Sequence, residues 1–159
     1  MRSRSGLCAL AALALGGCGY SFAAGAGRLP EGAERVQVRP LENRTGDAEA
    51  GALVAAALRE ELARRGISGG EEAPARIEGV VERSAFAASS PNNATFRLTL
   101  EVQARLLVKG EVVAARRVMV GEDYLGQVDA LAAEGRRRLA LRRAADAAAR
   151  QILESFERP

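Results

Sequence analysis

The chain has 159 residues, a formal net charge of +3, two cysteines, few aromatic residues and no histidine. Without histidine, a Ser-His-Asp triad and metal sites of the Cys/His type are excluded. The net charge falls to about +1 without Arg2 and Arg4, so it gives no argument for nucleic-acid binding.

The N-terminal residues have the pattern of a secretory signal. Residues 1–5 are basic, and residues 7–15 are apolar but too short to span a membrane, which takes roughly 20 residues. Leu15-Gly16-Gly17-Cys18 resembles the bacterial lipobox, in which the cysteine receives diacylglycerol and becomes the first mature residue, usually with three fatty chains in all (palmitate among them). A coincidental cysteine beside an ordinary cleavage site is the alternative, and the placement favours lipidation of Cys18.

The signal pattern divides the chain into three parts. Residues 1–17 are expected to be removed, residues 18–33 to form the lipidated N-terminus and a glycine-rich tether, and residues 34–159 to form a single domain. Residue 19, directly after the lipidated cysteine, is glycine and not the aspartate that resembles an inner-membrane retention signal. By that analogy the protein is anchored in the outer membrane of a Gram-negative cell and faces the periplasm.

The first half of the domain predicts a strand and a helix. Residues 35–39 alternate as a strand that ends at Pro40, and residues 40–47 are a turn. Asp47 is expected to be the N-cap of a helix that runs to Arg65 and ends at Gly66 in the left-handed conformation. Its apolar stripe includes Val54, Leu58 and Leu62, and we expect exposed ion pairs between Glu60 and Arg64 and between Glu61 and Arg65.

The second half predicts a meander of strands and a last helix. Residues 75–81 form a strand that returns parallel to the first, and residues 84–95 are a polar loop. Alternation over residues 96–108 predicts a long strand with one buried face, joined by a turn at 109–111 to an antiparallel partner at 112–120, with a bulge near Arg116 and Arg117. Asp129 begins the last helix, whose apolar stripe is Leu131, Leu139, Leu141, Ala145, Ala148, Ile152 and Phe156.

The predicted fold is therefore α+β. It is a two-layer sandwich in the order β-α-β-β-β-α, with two helices on one face of a four-stranded mixed sheet. The other face of the sheet remains polar.

That polar face carries the candidate binding residues. Arg97, Arg105 and Lys109 share one side of the long strand, and one of the adjacent pair Arg116 and Arg117 is expected to join them. Guanidinium groups bind phosphate bidentately, so the cluster is a candidate phosphate-binding site. The alternative is an ordinary solvated face, which the pattern favours because Glu101 lies between the basic positions.

No pattern of catalytic chemistry is found. Glu122 and Asp123 are adjacent on a strand and point to opposite faces, so they are not expected to form a carboxylate dyad. The glycines lack the lysine of a phosphate-binding loop. The sequence therefore predicts a binding, scaffolding or transport protein with no cofactor and no metal, and not an enzyme.

Five stretches together resemble the LptE family of lipopolysaccharide-assembly lipoproteins. They are Cys18-Gly19-Tyr20-Ser21-Phe22, "VQVRPLENRTGDAEAGALVAAALREELARRG", "ARIEGVVERSAFAA", "FRLTLEVQARLLVKGEVV" and "EGRRRLALRRAADAAARQILESF". Where the family often has an aromatic residue before its Asn-x-Thr turn (Asn43 and Thr45), this chain has Leu41. The order of the elements supports the resemblance more than any single motif does.

The resemblance implies a function, a partner and a ligand. The candidate ligand of the basic cluster would be the phosphates of lipid A in lipopolysaccharide. LptE proteins form a one-to-one complex with LptD, a large outer-membrane β-barrel, and sit inside it as a plug while lipopolysaccharide moves to the outer leaflet. A periplasmic scaffold or secretion-pilot lipoprotein of similar fold is the alternative. Membrane contact through the lipid anchor and no contact with nucleic acid are expected in either case.

Overall fold

A computed structural model describes residues 28–90, 95–126 and 129–157 of the chain. These residues form β1 (Val36–Val38), β2 (Glu42–Asn43), α1 (Ala50–Arg64), β3 (Ala75–Ala88), β4 (Thr95–Val108), β5 (Glu111–Leu125) and α2 (Ala130–Phe156). The predicted signal peptide, Cys18 and most of the tether lie outside the described residues.

The strands form one mixed sheet in the order β1-β3-β4-β5. β1 and β2 both pair parallel with β3, with Val36 opposite Ala75 and Glu42 opposite Val80. They act as one edge strand that is interrupted around Pro40, which has no N–H to donate to a ladder. The predicted α+β sandwich and its order are confirmed, with β2 as an addition, and the predicted turn at 40–47 begins only after Asn43.

Both helices pack on the same face of the sheet. α1 covers β1, β2 and β3, α2 covers β4 and β5, and the two helices contact each other. Their facing surfaces are rich in alanine, which lets the helices and the sheet approach closely. The largest fully buried side chains come from both layers: Leu58, Leu62, Ile77, Leu98, Leu100, Leu106, Leu141, Ile152, Leu153, Val36, Val54 and Val81.

The helix ends follow local chemistry. Gly66 adopts φ 72°. Its N–H donates to Ala63 O at 3.0 Å and the Ile67 N–H donates to Leu62 O at 3.0 Å, which is the Schellman arrangement predicted from the glycine. The Asp129 carboxylate accepts from the Ala132 N–H at 2.9 Å, so the predicted start of α2 is confirmed.

The start of α1 differs from the prediction. The N-cap is Glu49, without a side-chain cap. Asp47 instead belongs to the preceding turn, where its backbone carbonyl accepts from the Asn43 amide at 2.7 Å and its carboxylate accepts from the Glu49 N–H at 3.3 Å. Because Asn43 Oδ1 also accepts from the Thr45 N–H at 3.1 Å, the turn is extended and the helix begins later.

The hairpins are longer than the sequence pattern indicates. β3 continues to Ala88, so residues 84–88 of the predicted loop are strand, and β5 continues to Leu125. Lys109 and Gly110 form the predicted tight turn, with φ 51° and 90°. The register of β4 and β5 shifts between Leu106 and Leu107, so the irregularity lies opposite residues 112–114 and the bulge predicted at residues 116–117 is wrong.

Two predictions about exposure are also wrong. Leu131 is 82% exposed and Leu139 is 48% exposed. Leu139 already lies beside Tyr124 and Leu125 at the end of β5. The turns of α2 that precede Leu139 therefore have no strand to cover. Glu61 is buried rather than exposed. It forms ion pairs with Arg65 at 2.8 Å and with Arg64, which therefore pairs with Glu61 and not with Glu60.

Candidate functional site

Strand alternation brings most of the predicted basic residues onto the helix-free face of the sheet. Arg97 and Arg105 lie on this face of β4. Arg117 of β5 is paired with Gln103 and joins them, whereas Arg116 is paired with Ala104 and lies on the helix face. The expectation that one of the two β5 arginines joins the cluster is therefore met by Arg117.

Arg116 is part of the packing between β5 and α2. Its Nε donates to Ser155 O at 3.0 Å and its Nη1 donates to Ala115 O at 3.0 Å. The side chain therefore satisfies one carbonyl of its own strand and one near the C-terminal end of α2, where a positive charge is favourable.

Arg97 forms the tightest ion pair of the helix-free face. Its Nε and Nη2 donate to the two carboxylate oxygens of Asp123 at 2.8 and 2.6 Å. The hydrogen bond and the charge of Asp123 raise the pKa of Arg97 above its usual range. The same hydrogen bond lowers the pKa of the Asp123 carboxyl. A phosphate that binds Arg97 here has to compete with a carboxylate already in the bidentate position.

Two more arginines of this face have acidic partners. Arg117 contacts Glu101 at 3.3 Å, and Arg105 contacts Glu78 at 3.6 Å, which accepts a second contact from Arg76 at 2.8 Å. These three arginines therefore form a row of paired charges, whereas Arg83, exposed on the same face of β3, forms no ion pair within the described residues. Lys109 lies apart from this row at the tip of the β4–β5 turn, exposed, and forms no ion pair with the carboxylates of the described residues.

A polar groove of about 500 Å³ lies on this face where the edge strand is interrupted. Arg39, Arg44 and Arg105 line it together with Glu42 and Glu78. Arg44 contacts Glu42 at 2.9 Å and Glu82 at 3.3 Å. Arg39 and Arg44 were not among the sequence candidates, because Arg39 ends the predicted first strand and Arg44 lies in the predicted turn, and neither pattern places them beside β4. Only the pairing of β2 with β3 brings them beside Arg105.

A second surface, also missed by the sequence, lies at the opposite end of β4 from the Lys109 turn. Tyr124 stacks on Phe96 with ring centroids 5.7 Å apart and meets Phe86 edge-on at 6.2 Å. The Arg137 guanidinium lies 4.4 Å above the Phe86 ring. Burial raises the pKa of Tyr124, an effect that the charge of Arg137 opposes. We call these four residues the aromatic cluster.

No arrangement of catalytic side chains is found among the described residues. Glu122 lies on the helix face, 3.6 Å from Arg143, whereas Asp123 lies on the helix-free face, so the prediction that they do not form a dyad is confirmed. Within residues 28–90, 95–126 and 129–157 no group of side chains could hold a metal ion. Neither helix of that part of the chain combines the length and hydrophobicity needed to cross a membrane.

Comparison with known proteins identifies the fold. The family model described as LptE, lipopolysaccharide-assembly, matches residues 33–156. A putative lipoprotein from Caulobacter crescentus is 25% identical with a TM-score of 0.58, covering 74% of this chain and 88% of its own. Rare lipoprotein B from Shewanella oneidensis is 18% identical with a TM-score of 0.52, covering 76% and 92%. A minor lipoprotein from Acinetobacter baumannii is 12% identical with a TM-score of 0.55, covering 79% and 93%. A search of curated proteins gave no significant match.

Proposed function

Because this chain belongs to the LptE lipopolysaccharide-assembly family, we propose that it is a lipid-anchored subunit of the outer-membrane machinery that delivers lipopolysaccharide to the outer leaflet. The observation that carries the proposal is the family match over residues 33–156, which spans both helices and every strand. We propose a role in binding and assembly and not in catalysis, since the chain has no histidine and both cysteines lie within the first 18 residues.

The anchor is Cys18. Residues 19–27 separate it from the first described residue, Arg28, so a short tether joins the lipid to the end of the domain that carries the Lys109 turn. Three fatty chains would hold the protein permanently, since each buried CH₂ contributes about 0.8 kcal/mol. We expect the mass of the mature N-terminal peptide, isolated from a Gram-negative host, to show lipidated Cys18. Cys8→Ser should leave this mass unchanged, and an unmodified cysteine would contradict the proposal.

The proposed partner is a large outer-membrane β-barrel of the LptD kind, in near-equal amount. Barrel lumens are polar, and the helix-free face presents paired charges such as Arg97–Asp123 and Arg117–Glu101. A domain with such a face can occupy a polar lumen because the charges of these pairs are already neutralised within the face.

Co-purification in mild detergent tests this partnership. The transport proposal requires a barrel-sized protein at about one copy per copy of this chain. If the lipoprotein is recovered alone under conditions that preserve outer-membrane complexes, the result favours the alternative function, a periplasmic scaffold or secretion-pilot lipoprotein.

Lipopolysaccharide itself is the proposed ligand of Arg97, Arg105, Lys109 and Arg117. Phosphate would bind by exchange with Asp123, Glu78 and Glu101, so binding should weaken as salt is raised. Arg116 is less suited to this role because its Nε donates to the Ser155 carbonyl on the other face.

Replacing Arg97, Arg105 and Lys109 together with glutamine tests this ligand. The domain should still fold, because none of the three belongs to the buried core. The matched control removes three exposed arginines of α2, Arg136, Arg142 and Arg150. Weaker binding only in the first variant supports the proposed site, and equal binding in both variants contradicts it.

A further inference from the structure

β5 is a free edge of the sheet. It is last in the strand order, with β4 on one side, and no strand of the described residues pairs with its other side. It is also long, with 15 residues. A long exposed edge presents unpaired N–H and C=O groups, which are a template for another strand.

The exposed apolar side chains of the domain are concentrated on this edge. Of the six exposed large apolar residues in the described part of the chain, four belong to β5: Val112, Val113, Met119 and Leu125. Met119, near the middle of the strand, is 59% exposed. On the helix side of the same edge, a groove of about 430 Å³ lies between β5 and α2, with Val118 in its lining. The edge therefore has the character of a contact surface.

Two copies of β5 have complementary charge patterns when they run antiparallel to each other. "ARRVMVGEDY", residues 115–124, has two basic residues near one end and two acidic residues near the other. When two copies pair antiparallel about Val120, Arg117 of each copy lies opposite Asp123 of the other. Opposite charges on directly facing residues stabilise an antiparallel pair.

The side chains between these charges fit the same register. Met119 of each copy lies opposite Gly121 of the other on the helix-free face. Gly121 has no side chain of its own to meet this methionine, and the nearest atom to its Cβ position is Arg97 Cδ at 3.9 Å, an ordinary van der Waals distance. On the helix face, Arg116 lies opposite Tyr124 of the other copy, and a guanidinium and an aromatic ring attract each other.

The helix layer allows the same two-fold arrangement. Ser155 of α2 contacts Arg116, and Arg143 of α2 contacts Glu122, so α2 runs antiparallel to β5. The symmetry that brings two β5 strands together brings Arg143 of one α2 towards residues 151–155 of the other. These residues include the exposed Glu154, which has the opposite charge.

We propose that two copies of this protein associate through β5, forming a continuous sheet across a two-fold axis at Val120. Arg117 of each copy then exchanges its contact with Glu101 for one with Asp123 of the other copy, and Asp123 is shared with Arg97 of its own chain. The inference concerns the protein separated from other partners and does not depend on the proposed function. Pairing extends over residues 115–125 and satisfies the outward backbone groups of that part of the edge, while residues 111–114, with Val112 and Val113, lie outside it.

A charge-reversal experiment on the purified full-length lipoprotein in mild detergent tests the dimer. Arg117→Asp places two aspartates opposite each other, and Asp123→Arg places two arginines opposite each other. We expect each variant alone to dimerise ~10-fold or more weakly than the wild type. An equimolar mixture should associate again, because each aspartate then faces an arginine. Mass is measured by sedimentation, and circular dichroism confirms that both variants fold.

The outcomes are distinct. If the wild type stays a single chain at every concentration, the proposal is overturned. It is also overturned if a dimer forms that neither substitution weakens. A thiol crosslink gives a second measurement. Val120→Cys lies on the axis and should crosslink two copies, whereas Val112→Cys, exposed on the same strand, lies far from its counterpart. Crosslinking at position 112 and not at 120 would also overturn the proposal.

Discussion

Arg65, just after α1, and Glu157, just after α2, form an ion pair although 92 residues separate them in the sequence. Only 18% of the Arg65 side chain and 12% of the Glu157 side chain are exposed. Arg65 also contacts Glu61 at 2.8 Å. This junction fixes the C-terminal ends of both helices to each other and places a positive charge where both helix dipoles are negative.

Glu157→Gln should destabilise the domain by about 1 kcal/mol, more than removal of a fully exposed pair, because both partners are largely shielded from water. Arg65 keeps Glu61 as a partner, so the loss stays moderate. Urea unfolding measures the free energy. Glu154→Gln, on the exposed side of the same helix end, is the control and should change stability by no more than a few tenths of a kcal/mol. Equal effects of the two substitutions would contradict this role of Glu157.

Arg137→Lys should cost about 1 kcal/mol of stability. Arg137 Nη2 contacts Asp47 Oδ2 at 2.8 Å while the guanidinium lies 4.4 Å above the Phe86 ring. A lysine ammonium cannot make a planar contact with both at once. Thermal unfolding checks the effect.

The control for this prediction is Arg138→Lys. The pair of Arg138 with Glu49 is 3.0 Å long but about half-exposed on both sides, so its conservative replacement should have almost no effect. In a double-mutant cycle, Phe86→Leu and Arg137→Lys should be non-additive. Strict additivity would show that the ring and the guanidinium do not interact.

Two glycine-to-alanine substitutions should act in opposite directions. Gly66→Ala places a Cβ on a residue with φ 72° and should cost about 1 kcal/mol. Gly135→Ala lies within α2, where an added Cβ meets nothing within 4 Å, and should add about 0.5 to 1 kcal/mol. Chemical denaturation of both variants measures the difference. A stabilising Gly66→Ala would rule out the left-handed helix end.

Tyr124 should ionise above the ordinary tyrosine pKa of 10.0, because burial disfavours the phenolate. In a Tyr20→Phe protein, Tyr124 is the remaining tyrosine and its absorbance can be titrated directly. Since the folded pKa is raised, the stability linked to this group is present below pH 10 and is lost as the pH rises through the folded value. The denatured protein should titrate near 10.0, and an equal value in the folded protein would contradict burial of the ring.

The sequence predicted the elements whose signals are local. The alternation of β4, the Lys109–Gly110 turn, the stop at Gly66 and the cap at Asp129 each depend on residues that are close in the chain. The strand extension at residues 84–88 could not be predicted, because Ala85 and Ala87 have no apolar alternation of their own. These residues are strand because they pair with Thr99 and Arg97 of β4.

The candidate site was predicted only in part, for a similar reason. The alternation of side chains along a strand, with a period of two residues, placed Arg97 and Arg105 on one face. The acidic partners of that face, such as Asp123 for Arg97 and Glu78 for Arg105, become visible only once the register of three strands is known. Register also decides that Arg117 belongs to the face and Arg116 does not, and pairing around Pro40 decides that Arg39 and Arg44 join the groove.

The interrupted edge strand has a consequence for the order of folding. β3, β4 and β5 pair with their neighbours in sequence, whereas β1 and β2 reach β3 only after the whole of α1 has intervened. Contacts between distant residues form late because loop closure costs entropy before they are made. β1 and β2 are also short, so we expect their amide protons to exchange with solvent earlier than those of β4. The N-terminal edge is then the last part of the sheet to close and the first to open.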